Sequence, residues 1–248
     1  MELNHASVLL VEDEPFLREA MGAWLKRAVE RVLFARDGAE ALLTLAANKV
    51  HLILSDVRMP VMDGMALLKK VNEAQPPKPC VILLTGFSDL SVRQAYDLGA
   101  EAILEKPIRR EELVQVMQNS LAAPDELWRR PPGPAPGAQL KVSFPSLAAA
   151  LEQKRIAFGR RGFSIESSGG LREGPVRFAV NFPGDGRILS GEGVVRWIAP
   201  REECAGIEIT HIDDASRPWI VDLVKRSDPV AFIPASTGAQ PVSRLDAA

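Results

Sequence analysis

Cysteine is nearly absent: the 248 residues hold two, Cys80 and Cys204, far apart in the chain. A disulfide framework or a thiolate metal site needs clustered cysteines, so these two read as small buried hydrophobes. Histidine is as sparse, with three in the chain and none at metal-ligand spacing from another. Long apolar runs are missing too. No stretch of about 18 uninterrupted apolar residues occurs, so no membrane-spanning helix is predicted. Acids cut short the apolar run of MELNHASVLLVEDE before it could act as a secretory signal. The cytoplasm is the expected compartment. Nor does one sign of charge dominate. The net charge is −2, and division at residue 121 leaves 14 basic and 17 acidic residues before it, 16 and 15 after. Such a balance gives no electrostatic reason to expect nucleic acid or an acidic membrane as partner. What is present is a globular composition, 46% hydrophobic and 25% charged, long enough for two ordinary domains.

Residues 1–121 alternate short apolar runs with amphipathic segments, five times over. The runs are Ser7–Val11, Val32–Ala35, Leu52–Ser55, Val81–Thr85 and Ala102–Leu104. Each is too short for a helix and ends in polar or turn residues, which suits a strand buried on both faces. In Glu111–Leu121, by contrast, Leu113, Val116, Met117 and Leu121 fall on one face of a helix. Strand–helix repetition of this kind predicts an α/β fold, a doubly wound five-stranded parallel sheet with helices on both faces. The expected first domain is 1–123.

The stretch Pro131-Pro-Gly-Pro-Ala-Pro-Gly137 can neither continue a helix nor join a sheet interior, and 124–139 is expected to be a linker. After it the periodicity changes to two. Val176, Phe178, Val180 and Phe182 alternate with Arg177, Ala179 and Asn181, and Leu189–Ile198 and Gly206–Ile212 continue in the same style. A small antiparallel β-barrel over 140–227 is predicted, closed by a helix carrying Trp219, Ile220, Leu223 and Val224. The remainder, 228–248, is rich in Ala, Ser, Pro and Gly and is expected to be disordered.

The chemistry lies where predicted strands end. Glu12 and Asp13 follow the first run and Asp56 follows the third; Thr85 ends the fourth, and Lys106-Pro107 follow the fifth. In a doubly wound sheet these positions meet at the carboxyl edge, where such folds bind ligands. Clustered carboxylates repel unless a hard cation neutralises them, and Mg²⁺ with its oxygen-only shell fits. One carboxylate can then take a phosphoryl group while a hydroxyl and an ammonium balance the transferred oxygens.

VLLVEDE, LSDVRMPVMDGM, LLTG and LEKP, in this order and spacing, resemble the signatures of the receiver domain of response regulators, over roughly residues 5 to 121. The resemblance implies a histidine kinase as partner and Asp56 as phospho-acceptor. It implies Glu12 and Asp13 as the acid pair for Mg²⁺, with Asp13, Asp56 and the backbone carbonyl of Arg58 as ligands. Thr85 would follow the phosphoryl group, and Lys106 would be its charge partner. A homodimer through the last receiver helices is compatible with it. One departure stands out: the family's aromatic residue three positions before the lysine is Ile103 here. Coupling is therefore expected through Thr85-Gly86-Phe87 and the following helix. A phosphohydrolase reading fares worse, because Asp56 lacks the second acid of a DxD pair.

The second block offers no pair of short helices with a basic recognition helix, so DNA is not an expected partner. From about Leu140 to Arg226 it resembles the PilZ family in the order of its parts: LKVSFPSLAAALE, RRGFSI, PVRFAVNFPGDGRILSGEGVVRWI and AGIEITHID, then a helix. PilZ domains that bind cyclic di-GMP carry RxxxR and [D/N]xSxxG. Here the second motif is occupied by Ala157-Phe-Gly159-Arg-Arg-Gly162, and Trp128-Arg129-Arg130 leads into prolines. The expectation is an output that acts by binding an unidentified protein effector. The alternative is a dual-input effector that also takes cyclic di-GMP, with Arg160 and Arg161 meeting its phosphates.

Overall fold

The computed structural model describes residues 2–235 apart from 76, 87–89, 130, 133–136, 167–169, 200 and 202. Phe87 of the expected coupling loop, most of the Pro131–Gly137 stretch and 236–248 of the expected tail lie outside the described residues. The chain divides into two compact units. Met1–Arg129 with Pro229–Phe232 form one, and Arg130–Asp228 with the residues from Ile233 form the other.

The first unit runs β1 (Ser7–Val11), α1 (Pro15–Leu25), β2 (Arg31–Ala35), α2 (Gly38–Ala47), β3 (Leu52–Asp56), α3 (Gly64–Glu73), β4 (Cys80–Thr85), α4 (Val92–Asp97), β5 (Ala102–Glu105), α5 (Arg110–Leu121) and a short α6 (Pro124–Leu127). Its five strands are all parallel, in the order β2-β1-β3-β4-β5. The alternation of side chains along a strand divides the core in two. Leu10, Leu54 and Leu84 meet Met21 and Leu25 of α1 and Met117 of α5 on one face. Leu9, Ile53 and Leu83 meet Leu67, Leu68 and Val71 of α3 and Ala95 of α4 on the other. Asp37, Asp63 and Ser91 cap α2, α3 and α4 by accepting from the backbone N–H three residues on.

Two expectations about this unit's edges are corrected. Residues 124–129, assigned to a linker, belong to it, and the Trp128 side chain is fully buried. An indole buries too much apolar area to stay in a solvated linker when a core lies within reach. The expected tail is likewise ordered as far as it is described: Ala231, Phe232 and Ile233 are buried. Its composition predicted disorder, but three apolar residues in a row suffice to pin a short segment onto a folded surface.

The second unit runs β6 (Ala138–Ser143), α7 (Leu147–Glu152), β7 (Ile156–Phe158), β8 (Gly162–Glu166), β9 (Gly174–Phe182), β10 (Arg187–Ala199), β11 (Cys204–Ile212) and α8 (Arg217–Ser227). The six strands form one sheet in the order β6-β9-β10-β11-β8-β7. The prediction of a wholly antiparallel barrel is corrected in one respect. β6 pairs parallel with β9, and among the described residues the sheet runs from β6 at one edge to β7 at the other. α7 explains the parallel pairing, since a strand that does not return by a hairpin need not run antiparallel to its neighbour. The alternating apolar residues of β9 face inward, with Phe178 edge-on to Phe163 at 5.2 Å and Phe182 edge-on to Trp219 of α8 at 6.2 Å. Among the described residues no helix is long and apolar enough to cross a membrane.

Candidate functional site

β1 lies between β2 and β3, so the chain reverses its direction of progress across the sheet at the β1/β3 boundary. A crevice opens there beyond the carboxyl ends of the strands. Glu12 leaves β1 with only 1% of its surface exposed, and Asp56 ends β3 at 8%. Asp13, beside Glu12, is exposed. One carboxylate oxygen from each of the three lies within 4.8 Å of the other two.

Lys106 follows β5 and crosses above β4 to reach both buried acids. Its Nζ is 2.8 Å from Asp56 Oδ1 and 2.9 Å from Glu12 Oε2. Its backbone is tied to β4, the Lys106 N–H donating to the Thr85 carbonyl at 2.8 Å; the Lys106–Pro107 bond is cis. Thr85 ends β4, and its hydroxyl donates to the Gly86 carbonyl at 2.9 Å. Arg58 is exposed in the loop that follows Asp56.

The electrostatics follow from burial. Desolvation pushes the Glu12 carboxyl above its usual range, and the Lys106 hydrogen bond only partly offsets this. Desolvation acts against the Lys106 charge as well. Its hydrogen bonds to Asp56 and Glu12 outweigh that and hold the ammonium above the ordinary lysine value. One ammonium thus pairs with two of three clustered carboxylates, and the excess negative charge is what a hard dication would neutralise. Oxygen-only donors from Glu12, Asp13 and Asp56 suit Mg²⁺ in kind, and so few protein ligands leave positions for water and a phosphate oxygen.

Two supporting residues were not read from the sequence. Arg18, in the first turns of α1, donates from Nη1 to the carbonyls of Glu12 at 2.6 Å and Asp13 at 3.3 Å, fixing the acidic loop. Its only signal is a cation placed soon after an acid pair. Ser55 donates from Oγ to the Asp56 carbonyl at 2.8 Å. Gly64 shapes the loop beyond Asp56, and the reason is close approach. A Cβ there would lie 2.3 Å from the Asp56 carbonyl oxygen.

In the second unit, Arg160 and Arg161 lie in the turn between β7 and β8. Arg161 is not a solvated turn residue: it is 6% exposed, and its carbonyl accepts from Ile209 N–H at 2.8 Å. A cleft of about 330 Å³ lies elsewhere on this unit, lined among others by Lys141, Arg177, Glu192, His211 and Asp213, and neither arginine of the turn contributes to it.

A parallel sheet in this strand order, with an acid triad and a lysine at its switch point, defines a receiver domain. The family model for the response regulator receiver domain matches residues 8–118. The chain is 34% identical over 160 residues to the transcriptional regulatory protein GlrR of Escherichia coli K12, covering 63% of this chain and 34% of that one. It is 36% identical over 121 residues to the DNA-binding transcriptional regulator NtrC of the same organism, covering 48% and 26%. Among solved structures it is similar to the chemotaxis response regulator CheY4 of Vibrio cholerae, with 31% identity, a TM-score of 0.43, and coverage of 47% of this chain and 99% of that one. The N-terminal domain is the receiver domain of a two-component response regulator. The chain spans about a third of the length of GlrR.

Proposed function

We propose that Asp56 takes a phosphoryl group from a histidine kinase and that the phosphorylated receiver controls a PilZ-like second domain, which acts by binding a protein effector. The observation that carries the first half is the contact of Lys106 with Asp56 at 2.8 Å and Glu12 at 2.9 Å. In this reading the free oxygen of Asp56 attacks phosphorus, the phosphorus–nitrogen bond of the phosphohistidine breaks, and imidazole departs. Asp13, Asp56 and the Arg58 carbonyl, beside Glu12, would hold Mg²⁺, which would neutralise charge on the transferred oxygens. Lys106 then balances one phosphoryl oxygen, and the Thr85 hydroxyl turns from Gly86 towards another.

The second half is supported by the order of parts in the second unit, a leading strand and short helix, five further strands and a closing helix. The loss of both cyclic di-GMP motifs favours a protein partner, and the burial of Arg161 leaves less of it free to meet a phosphate.

Incubation with radiolabelled acetyl phosphate and Mg²⁺ is expected to label the protein to about one equivalent, and Asp56→Asn to abolish labelling while keeping the fold. Equal labelling of Asp56→Asn would overturn the assignment. For the output, calorimetric titration of cyclic di-GMP with and without beryllofluoride is expected to show no saturable binding. Low-micromolar binding in either state would replace the adaptor with a two-signal effector.

A further inference from the structure

Tyr96 of α4 is 4% exposed, and its ring stacks on Phe232 with centroids 5.4 Å apart and planes at 27°. The backbones repeat the contact, since Phe232 N–H donates to the Tyr96 carbonyl at 3.0 Å. Just past α4, Gly99 adopts φ +95°, and a Cβ there would lie 2.7 Å from the Val230 carbonyl oxygen and 2.8 Å from Asn72 Nδ2. Asn72 in turn donates to the Leu98 carbonyl at 2.7 Å, holding this turn in place. Pro229–Phe232 therefore folds as part of the first unit although 99 residues of chain, 130–228, separate it from the rest of that unit. A ring, a backbone hydrogen bond and a notch without a side chain seat it at three points on α4 and the turn that follows.

The same helix is tied to the phosphorylation site by a short connection. Thr85 ends β4 and Ser91 caps α4. The Thr85 hydroxyl bonds to Gly86, the first residue of that connection. A phosphoryl group on Asp56 that recruits this hydroxyl breaks the bond at the start of the path to α4. Packed contacts switch between discrete arrangements rather than deforming smoothly, and three contacts spread over four residues tolerate one position of α4.

We infer that Pro229–Phe232 is a strap whose docking on α4 opposes phosphorylation of Asp56; this rests on the reading of Asp56 as phospho-acceptor. The strap directly follows α8, so the state of the receiver reaches the end of the second unit through the chain itself.

Two measurements on the full chain test it. Hydrogen exchange with Mg²⁺, with and without beryllofluoride, is expected to show the Phe232 amide exchanging at least ten-fold faster when the acyl-phosphate mimic is bound. Coupling is reciprocal, so Phe232→Ala is expected to bind beryllofluoride at least about five-fold more tightly than the wild type. If the segment around Asp56 gains protection with beryllofluoride while 229–233 exchanges unchanged, the strap is overturned and the phospho-acceptor reading stands. If neither segment responds, both fall. The exchange experiment uses the unaltered protein and does not depend on the variant folding.

Discussion

Lys106 Nζ sits 2.8 Å from Asp56 Oδ1, although β4 separates the strands that carry the two residues. The same ammonium lies 2.9 Å from Glu12, so one side chain from the sheet's edge joins acids at the ends of the neighbouring strands β1 and β3. The three side chains are 25%, 11% and 2% exposed, far enough from water for the pairing to matter to the fold as well as to the chemistry. Breaking a buried pair by removing one partner costs about 3–5 kcal/mol, because the other charge is left behind.

That pairing has a pH signature. Lys106 titrates above its ordinary value in the folded chain, so its contribution is fully present below the unfolded lysine pKa of about 10.4 and is lost as pH rises through the folded one. Wild type is expected to lose stability above pH 10.5 more steeply than Lys106→Met, which starts lower. Urea midpoints measured from pH 8 to 11 check this; parallel pH profiles would contradict it.

Cation binding should stabilise the apo receiver. Glu12, Asp13 and Asp56 crowd their oxygens within 4.8 Å, and burial already holds the Glu12 carboxyl above its usual range. A ligand at a hundred times its dissociation constant adds about 2.7 kcal/mol to folding. Saturating Mg²⁺ is expected to raise the melting temperature of wild type by several degrees. Asp13→Asn is expected to lose most of that increment while melting at or above the wild-type apo temperature, since its removal relieves repulsion.

Gly64→Ala tests the loop that carries Asp56. Its Cβ would fall 2.3 Å from the Asp56 carbonyl and 3.1 Å from Ser55 Oγ, and backbone must move to admit it. A loss of roughly 1–3 kcal/mol is expected by analogy with overpacked cores. Labelling from acetyl phosphate should fall at least ten-fold with it. Unchanged labelling would mean that the loop can shift without disturbing Asp56.

Trp128→Ala probes the boundary of the first unit. A fully buried indole leaves a cavity worth about 3–5 kcal/mol when truncated. A change in the unfolding midpoint of less than about 1 kcal/mol would restore the linker reading of 124–129.

The receiver was legible because its strands are short, local and self-announcing. The run Ser7–Val11 is β1 residue for residue, and the site residues all sit at strand ends, where sheet topology brings them together. The second unit was less legible. Alternation marked β9, β10 and β11, but pairing partners depend on connections, and the parallel pairing of β6 with β9 leaves no local trace. The burial of Arg161 was not legible either, because the sequence shows its neighbours in the turn and not β11, whose Ile209 N–H bonds to its carbonyl.

Sequence alone determined the five-strand pattern, the acids, hydroxyl and lysine of the proposed phosphorylation site, and the change of periodicity after residue 137. Those are properties of residues near one another in the chain, fixed by period, turn chemistry and charge. Tertiary structure decided that Trp128 belongs to a core and that Arg18 holds the acidic loop. It also decided that Phe232 stacks on Tyr96, 136 positions earlier in the chain. Contacts at such separation are set by which apolar surface is left uncovered once the sheet and helices have packed, and no local pattern encodes that.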